Sequence, residues 1–131
     1  MITWPGKWSA DDVLNHPDYC FLYGDNLMQV GYAGQACIRG LPNTHGIPTK
    51  RRPGMDDATD FFSDRYYDVC CAHIQQAFED IPRGYLAYVV SEAGLGTGLA
   101  QLESRAPRVY GFLQQQLLKF EIEIDDEIIK D

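Results

Sequence analysis

Apolar and polar positions alternate in blocks along this chain, and the blocks change period. Tyr19-Cys20-Phe21-Leu22-Tyr23 is a continuous apolar run closed by Gly24-Asp25-Asn26, the pattern of a buried strand entering a loop. Tyr85-Leu86-Ala87-Tyr88-Val89-Val90 is a second such run, and it enters Glu92-Ala93-Gly94-Leu95-Gly96-Thr97-Gly98-Leu99-Ala100. Between them Tyr66, Val69, Cys70, His73, Ile74, Ala77 and Phe78 recur at helical spacing. They predict a helix over 64–80 that Ile81-Pro82-Arg83-Gly84 stops, with His73 on its apolar side.

Another helix is predicted over about 103–120, with Ala106, Val109, Tyr110, Leu113 and Leu117 on one face. Pro107 fits only in its first turn. Glu121-Ile122-Glu123-Ile124 alternates, which predicts a final edge strand. Near the start, Ser9 caps a short helix with Asp11 and Asp12 in its first turn, ending by His16-Pro17. Gly31-Tyr32-Ala33-Gly34 reads as a tight loop feeding a helix at Gln35-Ala36-Cys37-Ile38. Gly46-Ile47-Pro48-Thr49-Lys50 reads as a short strand that Pro48 demotes toward an edge or a strand end.

Alternating helices and short apolar strands predict an α/β sheet with helices on both faces. Such sheets bind ligands beyond the carboxyl ends of their strands. Both glycine-rich loops follow predicted strands directly.

The length, 131 residues, is that of one domain spanning 1–131. Hydrophobic residues at 45% and charged residues at 23% exclude a disordered chain. No apolar run approaches the roughly 20 residues of a membrane span, and Met1 to Pro5 lacks a signal-peptide pattern. The expectation is a cytoplasmic protein with no membrane partner. A net charge of −8 argues against general nucleic-acid binding, which leans on phosphate neutralisation, but leaves room for a small anionic ligand. Much of the acidity sits in Glu121, Glu123, Asp125, Asp126, Glu127 and Asp131.

The 4 cysteines, Cys20, Cys37, Cys70 and Cys71, form no CxxC pair and are expected as buried, reduced thiols. His16, His45 and His73 have no metal-ligand spacing with them, so no metal and no cofactor is expected.

Glycine lets backbone N–H groups converge on one anion, so two such loops on one edge can clasp a diphosphate. Neither loop matches GxxxxGK[ST], and Gly94-Leu95-Gly96-Thr97-Gly98 lacks the last spacing of GxGxxG. Spacing alone therefore leaves two tight turns without ligand as the competing reading.

In order along the chain stand Phe21-Leu22-Tyr23, Asp25-Asn26-Leu27 and Gly31 to Ala36, then Gly46-Ile47-Pro48-Thr49-Lys50-Arg51-Arg52, then Gly94 to Leu99. In that order, over about Tyr19 to Leu118, the chain resembles macrodomains, which bind ADP-ribose. It is most similar to the branch containing the terminal ADP-ribose protein glycohydrolase, and it also resembles phage and bacterial proteins. That branch has an Ile-Gly-Cys-Gly-Leu core, similar to Leu95-Gly96-Thr97-Gly98-Leu99, and a strand ending in Thr-Lys-Lys, similar to Thr49-Lys50-Arg51.

The resemblance implies a three-layer α/β fold, a mixed sheet flanked by helices, with ADP-ribose or an ADP-ribosylated macromolecule as partner. Asp25 would accept from the adenine amino group, with Asn26 competing for that place. Asn26 with Gly31, Tyr32, Ala33, Gly34 and Gln35 would lie near the distal ribose and phosphates. Thr49 and Gly94, Leu95, Gly96, Thr97, Gly98 and Leu99 would line the ligand, the amides of Gly96, Thr97 and Gly98 facing phosphate. Lys50 matches the nucleophilic lysine that attacks the ribose anomeric carbon, which requires a neutral amine. Arg51 and Arg52 would lower its pKa or hold a phosphate.

The branch has an aspartate after its glycine core, and this chain has Ala100. Glu92 and Glu103 flank the loop as substitutes. A non-catalytic reader of ADP-ribosyl or nucleotide groups, and a ligand-free interaction domain, remain alternatives. Residue by residue, plainer roles also stand: Lys50 as a solvated strand-end lysine, Asp25 as a turn or cap carboxylate, Asn26 as a left-handed turn residue. Arg39 reads as a surface salt bridge and His45 as a satisfied loop histidine.

Overall fold

The computed structural model describes residues 1–130, and side chains as far as Glu127. Its elements are β1 (Ile2–Trp4), α1 (Ala10–Leu14), β2 (Tyr19–Asn26), β3 (Thr44–Lys50), α2 (Tyr67–Glu79), β4 (Ala87–Ser91), α3 (Leu102–Arg105) and α4 (Pro107–Lys130). Short 3-10 turns cover Gly34–Ile38 and Asp64–Tyr66.

Among the described residues the strands form a 4-stranded sheet in the order β1-β4-β2-β3, and every pairing is parallel. Side chains alternate across it as the strand period requires. Cys20, Leu22, Tyr88 and Val90 face the core beneath α2 and α4, whereas Phe21, Tyr23 and Val89 face Trp8, Val13 and Ile38. Helices therefore cover both faces, with α2 and α4 on one and α1 with the 34–38 turn on the other. No helix among the described residues is long and apolar enough to cross a membrane.

The expected mixed sheet is corrected to a parallel one, and the edge strand expected at Glu121–Ile124 is the last part of α4. Phe120 and Ile124, four residues apart, are both buried while Ile122 is 55% exposed. Extending a formed helix costs less than starting a strand, and the i,i+4 pair reaches the same core.

The helix expected from 103 to 120 is interrupted. α3 ends at Arg105, and Pro107, which has no N–H, opens α4 as its first residue. Asp64 supplies the cap, accepting from the Arg108 and Val109 N–H groups at 3.1 Å each.

In α2 the buried positions are Cys70, Cys71, Ile74 and Phe78, so Val69 and His73 lie outside the core. The helix has the expected period, with its inward face rotated toward Cys71. The Ser9 cap forms, as a reciprocal pair with Asp12. Pro48 lies on the edge strand β3, and β1, at 3 residues, is too short to leave a pattern in the sequence.

Cys37 is exposed, unlike the other three thiols; all are free. Burial pushes the Cys20 thiol up to about 12.

Candidate functional site

Parallel strands end on the same edge. Asn26 of β2, Lys50 of β3 and Ser91 of β4 therefore share it, and Asn26 and Lys50 are register partners just after a β-bulge. The chain leaves β2 for β3 and returns through α2 to place β4 on β2's other side. The strand order thus reverses between β2 and β4, where open α/β sheets form their ligand crevice. Both glycine loops leave from those two strands.

Gln35 ties the loops together. Its Nε2 donates to the Gly94 carbonyl at 2.7 Å, and its Oε1 accepts the Gly24 N–H at 2.9 Å. A Cβ on Gly24 would stand 3.5 Å from Thr49 Oγ1 and 3.7 Å from the Gly96 nitrogen, and one on Gly34 3.7 Å from Leu99 Cδ1. Gly96 carries φ +79° and lies against Leu102 and Thr49, so only glycine suits it. The two loops adjoin rather than occupy opposite ends of the sheet.

The first loop is held from within. Asn26 Oδ1 accepts from the Met28 N–H at 3.0 Å and its Nδ2 donates to the Val30 carbonyl at 2.8 Å. The non-glycine residue in the left-handed region here is Gln29, φ +57°, not Asn26. Arg39 Nε donates to the Gly31 carbonyl at 2.8 Å.

The same guanidinium grips Asp25 with two nitrogens, so Asp25 and Arg39 form a largely buried ion pair, not a surface one. That carboxylate's hydrogen bonds hold the Arg39 proton more firmly than usual. Asp25 also accepts the Asn26 N–H at 2.7 Å, so its oxygens are committed inside the protein.

Exposure separates the remaining candidates. Gly31, Tyr32, Ala33, Gly34, Thr97, Gly98 and Leu99 are exposed, with Tyr32 at 69%, and Gln35 and Gly94 are half-buried. Leu95, fully buried, belongs to the core and presents no side chain to a ligand. Thr97 Oγ1 donates to the Ala93 carbonyl. A recess of about 270 Å³ lies on the flank of the second loop, lined by Thr97, Gln101, Leu102, Glu103 and Ser104. Another, of about 140 Å³, lies beside the first loop between Leu27, Arg51, Tyr66, Val69 and His73.

Lys50 is 6% exposed and is not the solvated strand-end lysine of the plainer reading. Its Nζ donates to the Gly54 carbonyl, lies 3.5 Å from that of Pro53 and 3.6 Å from Met55 Sδ, and sits 4.6 Å from the centroid of Phe61. Burial lowers its pKa, the Asp60 carboxylate works against that, and the Arg105 cation adds to it. The neighbouring cation is thus Arg105, not Arg51 or Arg52. Arg51 instead faces Tyr66, 6.0 Å from its centroid.

Ala100 is buried. Of the two flanking acids, Glu92 accepts the Gly6 N–H at 2.7 Å and Glu103 borders the 270 Å³ recess. His45 Nε2 hydrogen-bonds the Ala77 carbonyl at 2.8 Å, a satisfied histidine.

Three neighbours of Lys50 were not legible as such: Asp60, Phe61 and Arg105. Phe61 arrives through an isolated antiparallel bridge to Lys50, and Arg105 from beyond the second glycine loop. No spacing rule connects them.

The model of one family, described as a family of unknown function (DUF7831), matches residues 4–116, and the chain belongs to that family. No curated protein and no solved structure matches it.

Proposed function

We propose that this member of the DUF7831 family has a macrodomain-like site and binds ADP-ribose or a related nucleotide diphosphate at the carboxyl edge of β2 and β4. The observation that carries the reading is the Gln35 bridge, which sets two glycine loops side by side at the strand-order reversal. Thr97, Gly98 and the 31–34 segment are exposed there, and in this reading their backbone N–H groups meet an anion. A cytoplasmic location and an ADP-ribosylated macromolecule as partner go with this reading.

Lys50 is the proposed nucleophile. Its neutral amine attacks the anomeric carbon, forming a C–N bond while the bond from that carbon to the macromolecule breaks. The leaving group keeps the electron pair and takes up a proton, and water later releases the ribosyl group from the lysine. Burial and Arg105 favour the neutral amine that this requires.

A second reading, a binder that recognises the group without cleaving it, is favoured by Ala100. No carboxylate stands at that position to move the proton.

Calorimetric titration with ADP-ribose, with AMP and NAD as controls, tests the reading. Saturable micromolar binding, about −8 kcal/mol, is expected. Absence of heat at millimolar ligand, with no thermal shift, would overturn it. Release of ADP-ribose that Lys50→Ala abolishes, with binding weakened only modestly, selects the enzyme. Binding without release selects the reader.

A further inference from the structure

The amine of Lys50 is roofed by Pro53, Gly54 and Met55, all exposed on their outer side. What keeps that roof in place lies across the site. Asp57, in the same segment, pairs with Arg105 at 2.8 Å. The Arg105 guanidinium stacks 3.5 Å from the centroid of Phe61, the ring over which the Lys50 ammonium also lies. Its Nε donates to Gln101 Oε1 at 2.9 Å, which anchors it beside the second glycine loop.

The base of the segment is braced separately. Asp60 accepts from the Asp56 N–H at 2.9 Å and from Thr59 Oγ1 at 3.0 Å, and a Cβ on Gly54 would collide with it. Pro53 closes against Gly31 of the first glycine loop, 3.8 Å from where a Cβ there would stand.

We propose that Arg105 is a positioning residue for Lys50: through Phe61 and Asp57 it latches the 52–58 segment over the amine, and release of that latch exposes it. The inference rests on the reading of Lys50 as the reacting amine, and it adds a control on when that amine is available. An ion pair at a half-exposed site is weak enough to open, and a planar guanidinium on an aromatic ring is a contact lysine does not reproduce. The charged groups around Lys50 are Asp60, which favours its ammonium, and Arg105, which disfavours it, with Arg52 beside Asp60.

Reductive methylation with formaldehyde and cyanoborohydride, which attacks only neutral amines, reads this in the full chain without ADP-ribose. Mass spectrometry resolves Lys50 from the exposed Lys7 and Lys119, the internal references. Asp57 is 84% exposed at its side chain, so Asp57→Asn leaves the core intact. It is expected to speed Lys50 methylation about two- to five-fold with its pH midpoint unmoved. Arg105→Met is expected to speed it at high pH and to move the midpoint upward, towards ordinary lysine. Arg105→Lys restores the midpoint but not the slow rate. Lys50 kinetics identical to wild type in Asp57→Asn and Arg105→Met would overturn the latch. Fast labelling in the variants of a protein that binds no ADP-ribose would sink the functional reading alone.

Discussion

Gln35 and Gly94 are 59 residues apart in sequence, yet the side-chain amide of the first donates to the carbonyl of the second at 2.7 Å. The same side chain accepts the Gly24 N–H, so one residue joins strand end, first loop and second loop. Gln35→Leu removes both bonds and leaves a backbone donor and an acceptor without partners. The expected cost is about 1–3 kcal/mol of stability, read by urea unfolding. ADP-ribose affinity should fall as well, because the loops lose their common anchor. Unchanged affinity in a folded Gln35→Leu would separate the bridge from binding.

Asp25 and Arg39 form the other internal tie. Their side chains are 7% and 12% exposed, so neither charge is well hydrated when alone. Asp25→Ala strands the guanidinium and should destabilise by about 3–5 kcal/mol. Adding Arg39→Met to Asp25→Ala should recover part of that loss, since the stranded charge goes with it. A double-mutant cycle measures the coupling, and strictly additive losses would contradict the pairing.

Asp64 caps a 24-residue helix from 44 residues away, by accepting from two backbone N–H groups that follow Pro107. Asp64→Ala should cost about 0.5–2 kcal/mol, and Asp64→Asn less, because its amide oxygen still accepts. Thermal melts followed by circular dichroism at the helix band would rank the three proteins. Equal midpoints would show that the α4 terminus finds another partner.

The Cys20 thiol titrates near 12 when folded against an ordinary 9.0. Above pH 9 the unfolded chain therefore gives up this proton before the folded one does. The contribution is intact below pH 9 and is lost as pH rises towards 12, by up to about 4 kcal/mol in full. Buried Cys70 and Cys71, raised by the same cause, act in the same direction. Stability measured between pH 8 and 10.5 should fall for the wild type and fall less steeply for Cys20→Ala, even though the variant starts lower. Parallel slopes would remove Cys20 from the account.

Local pattern carried far where burial is one-dimensional. The apolar run at Tyr19–Tyr23 became β2, and the second run became β4 from Ala87 onward with Leu86 left exposed, because a strand covered on both faces has no alternative period. The cap at Ser9 followed from a single residue whose backbone chemistry is local, and Pro48, which fits an edge or a strand end alike, lies on the edge strand. Pattern failed where two periods fit the same residues. Glu121–Ile124 alternates as a strand would, but Phe120 and Ile124 also meet a helical face, and the preceding helix decided between them. His73 sits at helical spacing with its neighbours, yet the sheet selected Cys70, Ile74 and Phe78 as the inward row.

What the sequence by itself determined is the succession from α1 through β2, β3 and α2 to β4 and the placing of glycine loops after strand ends, since these depend on residues close along the chain. Only the tertiary structure decided that Lys50 is buried, that Asp25 is committed to Arg39, and that Lys50 and Arg105 reach the same Phe61 ring. Those facts rest on contacts between segments brought together by parallel pairing and by the folding back of residues 51–61 over β3. Burial and ion pairing act through space, so no spacing along the chain records them.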